Sequence, residues 1–165
     1  MRKAFEAARR FADNPAGWLV LNGTNGTGKS HLAAAIMNHL TAVPEDQRPL
    51  ILFITAPGLL DMLRSGYGPR GDYQELLHLC QTVDLLILDD LGVEKETDWA
   101  FEKLYLVLNH RYQAEAATVV VTNCRLQDLE PRIYDRLCDD DLCTRVSILA
   151  PSYRQHTSAP GTVVQ

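Results

Sequence analysis

Gly23-Thr24-Asn25-Gly26-Thr27-Gly28-Lys29-Ser30 sets three glycines ahead of a lysine and a hydroxyl, in a GxxxxGK(S/T) pattern. Each residue type has a use in holding a polyphosphate. Glycines let the backbone curl so that successive N–H groups point inward at phosphate oxygens. A helix leaving the loop adds partial positive charge at its N-terminus. Lys29 brings a full charge to the β- and γ-phosphates, and the Ser30 hydroxyl can ligate Mg²⁺. ATP with Mg²⁺ is the ligand pair this chemistry expects. His31 adjoins the motif, either as a nucleotide neighbour or as a plain helix residue after the loop.

Such a loop needs an acid on the metal side. Asp89 and Asp90 follow four apolar residues, Leu85-Leu86-Ile87-Leu88. A strand ending there places both carboxylates at the carboxyl edge of the sheet, where open α/β folds bind ligands. Asp89 is assigned to the Mg²⁺ shell through water. Asp90 is assigned to orienting or deprotonating the attacking water. Another apolar run ends in Thr122-Asn123. Asn123 at its tip is placed to hydrogen-bond the γ-phosphate or the water, although Thr-Asn is also ordinary turn chemistry.

The elements around these residues alternate. Residues 2–13 read as a basic amphipathic helix with Phe5, Ala8 and Phe11 on one face, stopped by Asn14-Pro15-Ala16-Gly17. A strand over 18–21 enters the loop, and a helix over 29–41 leaves it. Residues 50–54 are apolar throughout, as in a parallel strand covered on both faces. Thr55 and Pro57 cap and open a helix to residue 63. A Gly-rich loop covers 64–71. Asp72 and Glu75 have capping-box spacing for a helix to residue 82. Strand 85–88, a helix capped by Thr97 and running to 114, strand 118–121, short helical pieces over 126–137 and a strand near 144–149 complete the order. Strands and helices at this rhythm predict a three-layer α/β/α domain with a five-stranded parallel sheet. The domain is expected over 1–154, with 1–14 as an N-terminal helix and 155–165 as a flexible tail.

The 165 residues suit one domain. Sixteen Lys+Arg against twenty-one Asp+Glu leave a net charge of −5, which excludes a blanket basic surface for duplex DNA. Twelve of those cations are Arg, a skew that fits phosphate chemistry. No apolar run approaches the roughly 18 residues of a membrane span, so no membrane is expected. The four cysteines, 80, 124, 138 and 143, lack CxxC spacing. They read as reduced thiols of a cytoplasmic protein, with Cys80 and Cys124 packed as small apolar groups.

The motif array resembles the AAA+ ATPase module of DnaC/DnaI-type replicative helicase loaders, and equally the IstB-like transposition helper ATPases. It comprises Gly23 through Ser30, Asp84-Leu85-Leu86-Ile87-Leu88-Asp89-Asp90-Leu91-Gly92, Thr122-Asn123, Arg132-Ile133-Tyr134-Asp135-Arg136-Leu137 and Ser152-Tyr153-Arg154. The resemblance implies a P-loop core of RecA-like type without a C-terminal lid domain. It places Asn123 at sensor 1. Arg136 falls on an arginine finger that enters a neighbouring subunit's site, with Arg132 one turn away as second choice. Arg154 falls on sensor 2, in contact with nucleotide in its own subunit. It further implies single-stranded DNA contact through Arg64, Tyr67, Arg70 and Tyr73, a replicative helicase as partner, and self-association through Arg136. Asp90 is one methylene shorter than the Glu of many AAA+ proteins, which fits slow, assembly-dependent hydrolysis.

Two further functions compete. A transposition helper would share the core motifs and prefer duplex DNA. A small-molecule kinase would also carry the loop, but an acceptor pocket and an Arg-rich lid are not evident in the sequence.

Overall fold

The computed structural model describes residues 2–69, 71–92 and 97–149. Arg70, Arg154 and the 155–165 tail, all singled out above, lie outside them. Five strands form one parallel sheet: β1 (Trp18–Gly23), β2 (Ile51–Thr55), β3 (Leu85–Leu91), β4 (Thr118–Thr122) and β5 (Cys143–Ile148), in the order β2-β3-β4-β1-β5. Helices α1 (Arg2–Asp13) and α2 (Lys29–Thr41) cover one face. Helices α3 (Ala56–Ser65), α4 (Tyr73–Thr82), α5 (Asp98–Gln113) and α6 (Pro131–Leu137) cover the other. The three-layer α/β/α P-loop fold is thus as expected.

Alternation along each strand explains the layers. Leu19 and Leu21 of β1 pack with Ile87, Val119 and Val121 beneath α1 and α2. Trp18 and Val20 pack with Leu86, Leu88 and Val120 beneath the other helices. Successive strand side chains point to opposite faces, so a strand covered twice must be apolar twice. Among the described residues, no helix is long and apolar enough to cross a membrane.

Four local expectations change. β2 is not a fully covered strand but an edge strand, and its four apolar residues are only half-buried. On α1 the buried stripe is Ala4, Ala7, Ala8, Phe11 and Ala12, while Phe5 is 59% exposed. The alanines let α1 lie close against α2, and the stripe they form leaves Phe5 outside. Asp72 sits at the N-cap of α4 without a side-chain capping bond, so the capping box is not made. Thr55 and Thr97 do cap, accepting from the amides of Gly58 and Ala100 at 3.1 Å each.

The fourth change concerns thiols. All four cysteines are free, but the buried ones are Cys80 and Cys143, whereas Cys124 is half-buried. Burial pushes the Cys80 thiol up to about 11 and the Cys143 thiol, beside Asp139, up to about 12. Both folded values exceed the ordinary thiol value of roughly 8.5. Their contribution to stability is therefore complete below that pH and lost as pH rises toward the folded values. At neutral pH an alkylating reagent should label Cys124 and Cys138 first, and Cys80 and Cys143 only through global unfolding. Mass spectrometry of a labelling time course checks this; prompt modification of Cys80 contradicts it.

Candidate functional site

The loop over 23–28 leaves β1 and turns into α2. At Gly23 any side chain would bring a Cβ to 2.4 Å from the Ile148 carbonyl oxygen of β5, so only glycine fits. Gly28, in the left-handed region at φ 88°, delivers the chain into α2. Lys29, 4% exposed, reaches back across the loop. Its Nζ donates to the carbonyls of Gly23 and Thr24, both at 2.8 Å, and to Thr27 Oγ1 at 3.4 Å. The Thr27 hydroxyl also donates to the Thr24 carbonyl, at 2.9 Å. Carbonyls are thus engaged by the lysine. Among the described residues, the amides of 24–28 donate no backbone hydrogen bond of normal geometry, which leaves them for an anion. Burial lowers the Lys29 pKa, and the carboxylates of Asp89 and Asp90 pull it back up. Thr24, Asn25, Ser30 and His31 are exposed, and Gly26 is half-buried.

Asp89 and Asp90 do not follow the end of β3; they form a bulge within it. Leu88 pairs with Val120 and Leu91 with Thr122, so two β3 residues oppose the single Val121. The bulge sends Asp90 to φ 55°, a left-handed conformation that is uncommon outside Gly and that Asn and Asp adopt more readily than other residues. Asp89 is 6% exposed, and its Oδ1 accepts from the Asp90 amide at 2.8 Å. Asn123 Nδ2 donates to Asp90 Oδ1 at 3.0 Å. The buried Thr122 hydroxyl donates to the Leu91 carbonyl at 2.6 Å and accepts from the Cys124 amide at 3.0 Å. That hydroxyl ties the tip of β4 to β3 just past the bulge. Because β4 lies between β1 and β3, Asn123 stands between the loop and the acids.

The structure therefore brings Lys29, Asp89, Asp90 and Asn123 to one sheet edge. Among the described residues, no cluster of three or more His, Cys, Asp or Glu is arranged to hold a metal. The oxygen groups at this edge are the Asp89 and Asp90 carboxylates, with the Ser30 hydroxyl exposed one residue past Lys29. This set fits Mg²⁺, which takes one or two protein oxygens and completes its shell with phosphates and water.

Arg136 does not join them. It lies on α6, half-buried, bound to Asn109 and Tyr105 of α5. Arg132, one turn earlier, is 59% exposed, lies 3.3 Å from Glu130, and stacks over Phe101 and Tyr105.

Three of the four residues proposed for DNA contact, Arg64, Tyr67 and Tyr73, lie together, beside Trp99 and Lys103, which sequence reasoning did not single out. The Tyr67 and Tyr73 rings stack at 4.3 Å, and Trp99 lies 6.5 Å from Tyr67. The Arg64 guanidinium sits 4.7 Å over Trp99, and Lys103 Nζ lies 5.5 Å from the Tyr73 ring. Tyr67 is 55% exposed. Arg64 is also paired with Asp61, and Lys103 with Glu102, both at 2.8 Å. Trp99 and Lys103 come from the first turns of α5. No spacing in the sequence ties them to 64–73; only the α3–α4–α5 packing does.

A phosphate loop after β1, paired acids on β3 and a polar tip on the strand between them define the P-loop nucleoside-triphosphatase class. The IstB-like ATP binding protein family model matches residues 7–159. The chain belongs to that family. It is 28% identical over 140 residues to the replicative helicase loader DnaC of Escherichia coli (strain K12), covering 84% of this chain and 55% of the loader. The chain thus spans about half the length of the curated relatives it matches. A crystal structure of the DnaC helicase loader superposes with a TM-score of 0.72 at 23% identity, over 89% of each chain. The replication initiator DnaA, bound to AMPPCP and single-stranded DNA, superposes with a TM-score of 0.77 at 20% identity, over 91% of this chain and 46% of that one.

Proposed function

We propose that the chain is the ATP-hydrolysing module of a replicative helicase loader that assembles with ATP and touches single-stranded DNA. The observation carrying the ATPase reading is the convergence of the 23–28 loop, Lys29, Asp89, Asp90 and Asn123 at one sheet edge. The loop amides and Lys29 receive the phosphates. Ser30, and Asp89 through water, would hold Mg²⁺, which would supply charge neutralisation at the phosphates. Asp90 accepts a hydrogen bond from the attacking water, and Asn123 fixes the Asp90 carboxylate while facing the γ-phosphate. The short Asp90 side chain, held in a left-handed bulge, suits slow turnover. Arg136 acts on a neighbouring subunit's phosphate, and Arg154 on its own. The relatives' name as helicase loaders supports a helicase as partner.

The DNA reading rests on the Tyr67–Tyr73–Trp99 ring cluster flanked by Arg64 and Lys103. Stacking is worth roughly 1–3 kcal/mol per base. Trp99→Ala is therefore expected to weaken oligo-dT binding by about five- to a hundredfold, with ATP binding retained. Fluorescence anisotropy at several salt concentrations measures it. Unchanged affinity would remove the cluster from the interface. The family also contains IstB-like proteins, and a firm preference for duplex over single strands in the same assay would favour the transposition-helper reading.

A further inference from the structure

The Arg136 side chain makes four hydrogen bonds inside its own subunit. Nε and Nη2 both donate to Asn109 Oδ1, at 3.0 and 2.7 Å. Nη2 also donates to the Tyr105 hydroxyl at 2.9 Å, and Nη1 to the Arg132 carbonyl at 2.8 Å. The rings of Tyr105 and Tyr112 lie 4.8 and 5.5 Å from the guanidinium carbon. Tyr105, Asn109 and Tyr112 recur at helical spacing on α5 and so present one face to α6.

Every acceptor in this socket is neutral. Among the described residues, no carboxylate lies within ion-pair distance of Arg136. The socket fixes the fork, using four of its five N–H groups, and supplies ring faces rather than a paired carboxylate for its charge. A residue needed only to join α6 to α5 would gain from an acidic partner at position 109. An amide there gives the guanidinium hydrogen bonds but no opposite charge, whereas a phosphate offers both, in a bidentate geometry that suits the fork.

We infer that Asn109 and Tyr105 are positioning residues that latch Arg136 to its own subunit. The latch opens only when a second copy of this chain, carrying a bound nucleoside triphosphate, offers its terminal phosphate to the guanidinium. Hydrolysis then waits for assembly twice over, because a nucleotide gains an arginine only from a neighbour, and that neighbour's Arg136 must first leave Asn109 and Tyr105. This rests on the reading of Arg136 as an arginine that acts across subunits, and the test separates the two ideas.

ATP turnover is measured against protein concentration for the whole chain and for Asn109→Ala, Tyr105→Phe and Arg136→Ala. Tyr105→Phe removes a single hydroxyl and keeps the ring beside both guanidinium groups, so packing is preserved. Losing one hydrogen bond to a charged group corresponds to a factor of roughly ten or more. Tyr105→Phe should therefore reach half-maximal specific activity at about tenfold lower protein concentration, and Asn109→Ala, which loses two such bonds, at a lower concentration still. A purely structural role cannot lower that concentration. If Tyr105→Phe and Asn109→Ala superimpose on the wild type, or need more protein, while Arg136→Ala is inactive, the latch is overturned and the cross-subunit arginine stands. If Arg136→Ala keeps wild-type, concentration-dependent turnover, the underlying reading fails and the latch with it.

Discussion

Lys29→Ala is expected to lower ATP turnover by roughly 10²–10³-fold, the range for removing one preorganised donor from charge developing in a transition state. It is also expected to weaken nucleotide binding. Among the described residues, the Lys29 side chain bonds only to its own loop, at Gly23, Thr24 and Thr27. Its loss should therefore leave the sheet and helices intact. Phosphate-release kinetics together with calorimetric titration of a non-hydrolysable ATP analogue separate the two effects. Turnover within tenfold of the wild type, in a protein of unchanged melting temperature, would show that the loop is not the catalytic centre.

Arg111→Met carries the largest expected cost to stability. The Arg111 side chain is fully buried. Nε donates to Thr118 Oγ1 at 2.9 Å; Nη1 donates to the carbonyls of Cys80, Gln81 and Val83 at 3.3, 3.2 and 3.0 Å; and Nη2 donates to the Ala117 carbonyl at 2.6 Å. One fork thereby closes the end of α4 and fastens it to the start of β4. Burial lowers the guanidinium pKa to about 10, so the cation is held by carbonyl dipoles against desolvation. Methionine would fill much of the volume and leave several buried acceptors unpaired. The loss should be about 3–5 kcal/mol, allowing for partial relaxation. Urea unfolding measures it, and a loss below about 1 kcal/mol would mean that water replaces the fork. Lysine keeps the charge without the planar donors and should rescue little.

The layers and the phosphate loop were legible because they rest on local signals. Runs such as 85–88 are apolar at every step, and a glycine-rich turn between strand and helix has few uses. What depends on pairing between distant strands was not legible. The bulge at Asp89-Asp90 exists only through the register of β3 against β4. Trp99 and Lys103 meet Tyr67 and Tyr73 only after three helices pack. The edge position of β2 follows from sheet order, which alternation does not encode. The arginine skew fits phosphate chemistry by residue type, yet Arg111 serves the interior, and the difference lies in burial.

The sheet order also governs how the chain must come together. β1 has β4 on one side and β5 on the other. During synthesis the strand that carries the phosphate loop therefore emerges with both edges open, and it stays so until residues 118–148 leave the ribosome. Pairings across such a separation form slowly, and exposed strand edges invite misassembly meanwhile. A nascent chain halted before β4 would own every residue of the glycine loop and still grip no nucleotide. The capacity to bind is thus acquired late, once the closing strand slots between the first and the third.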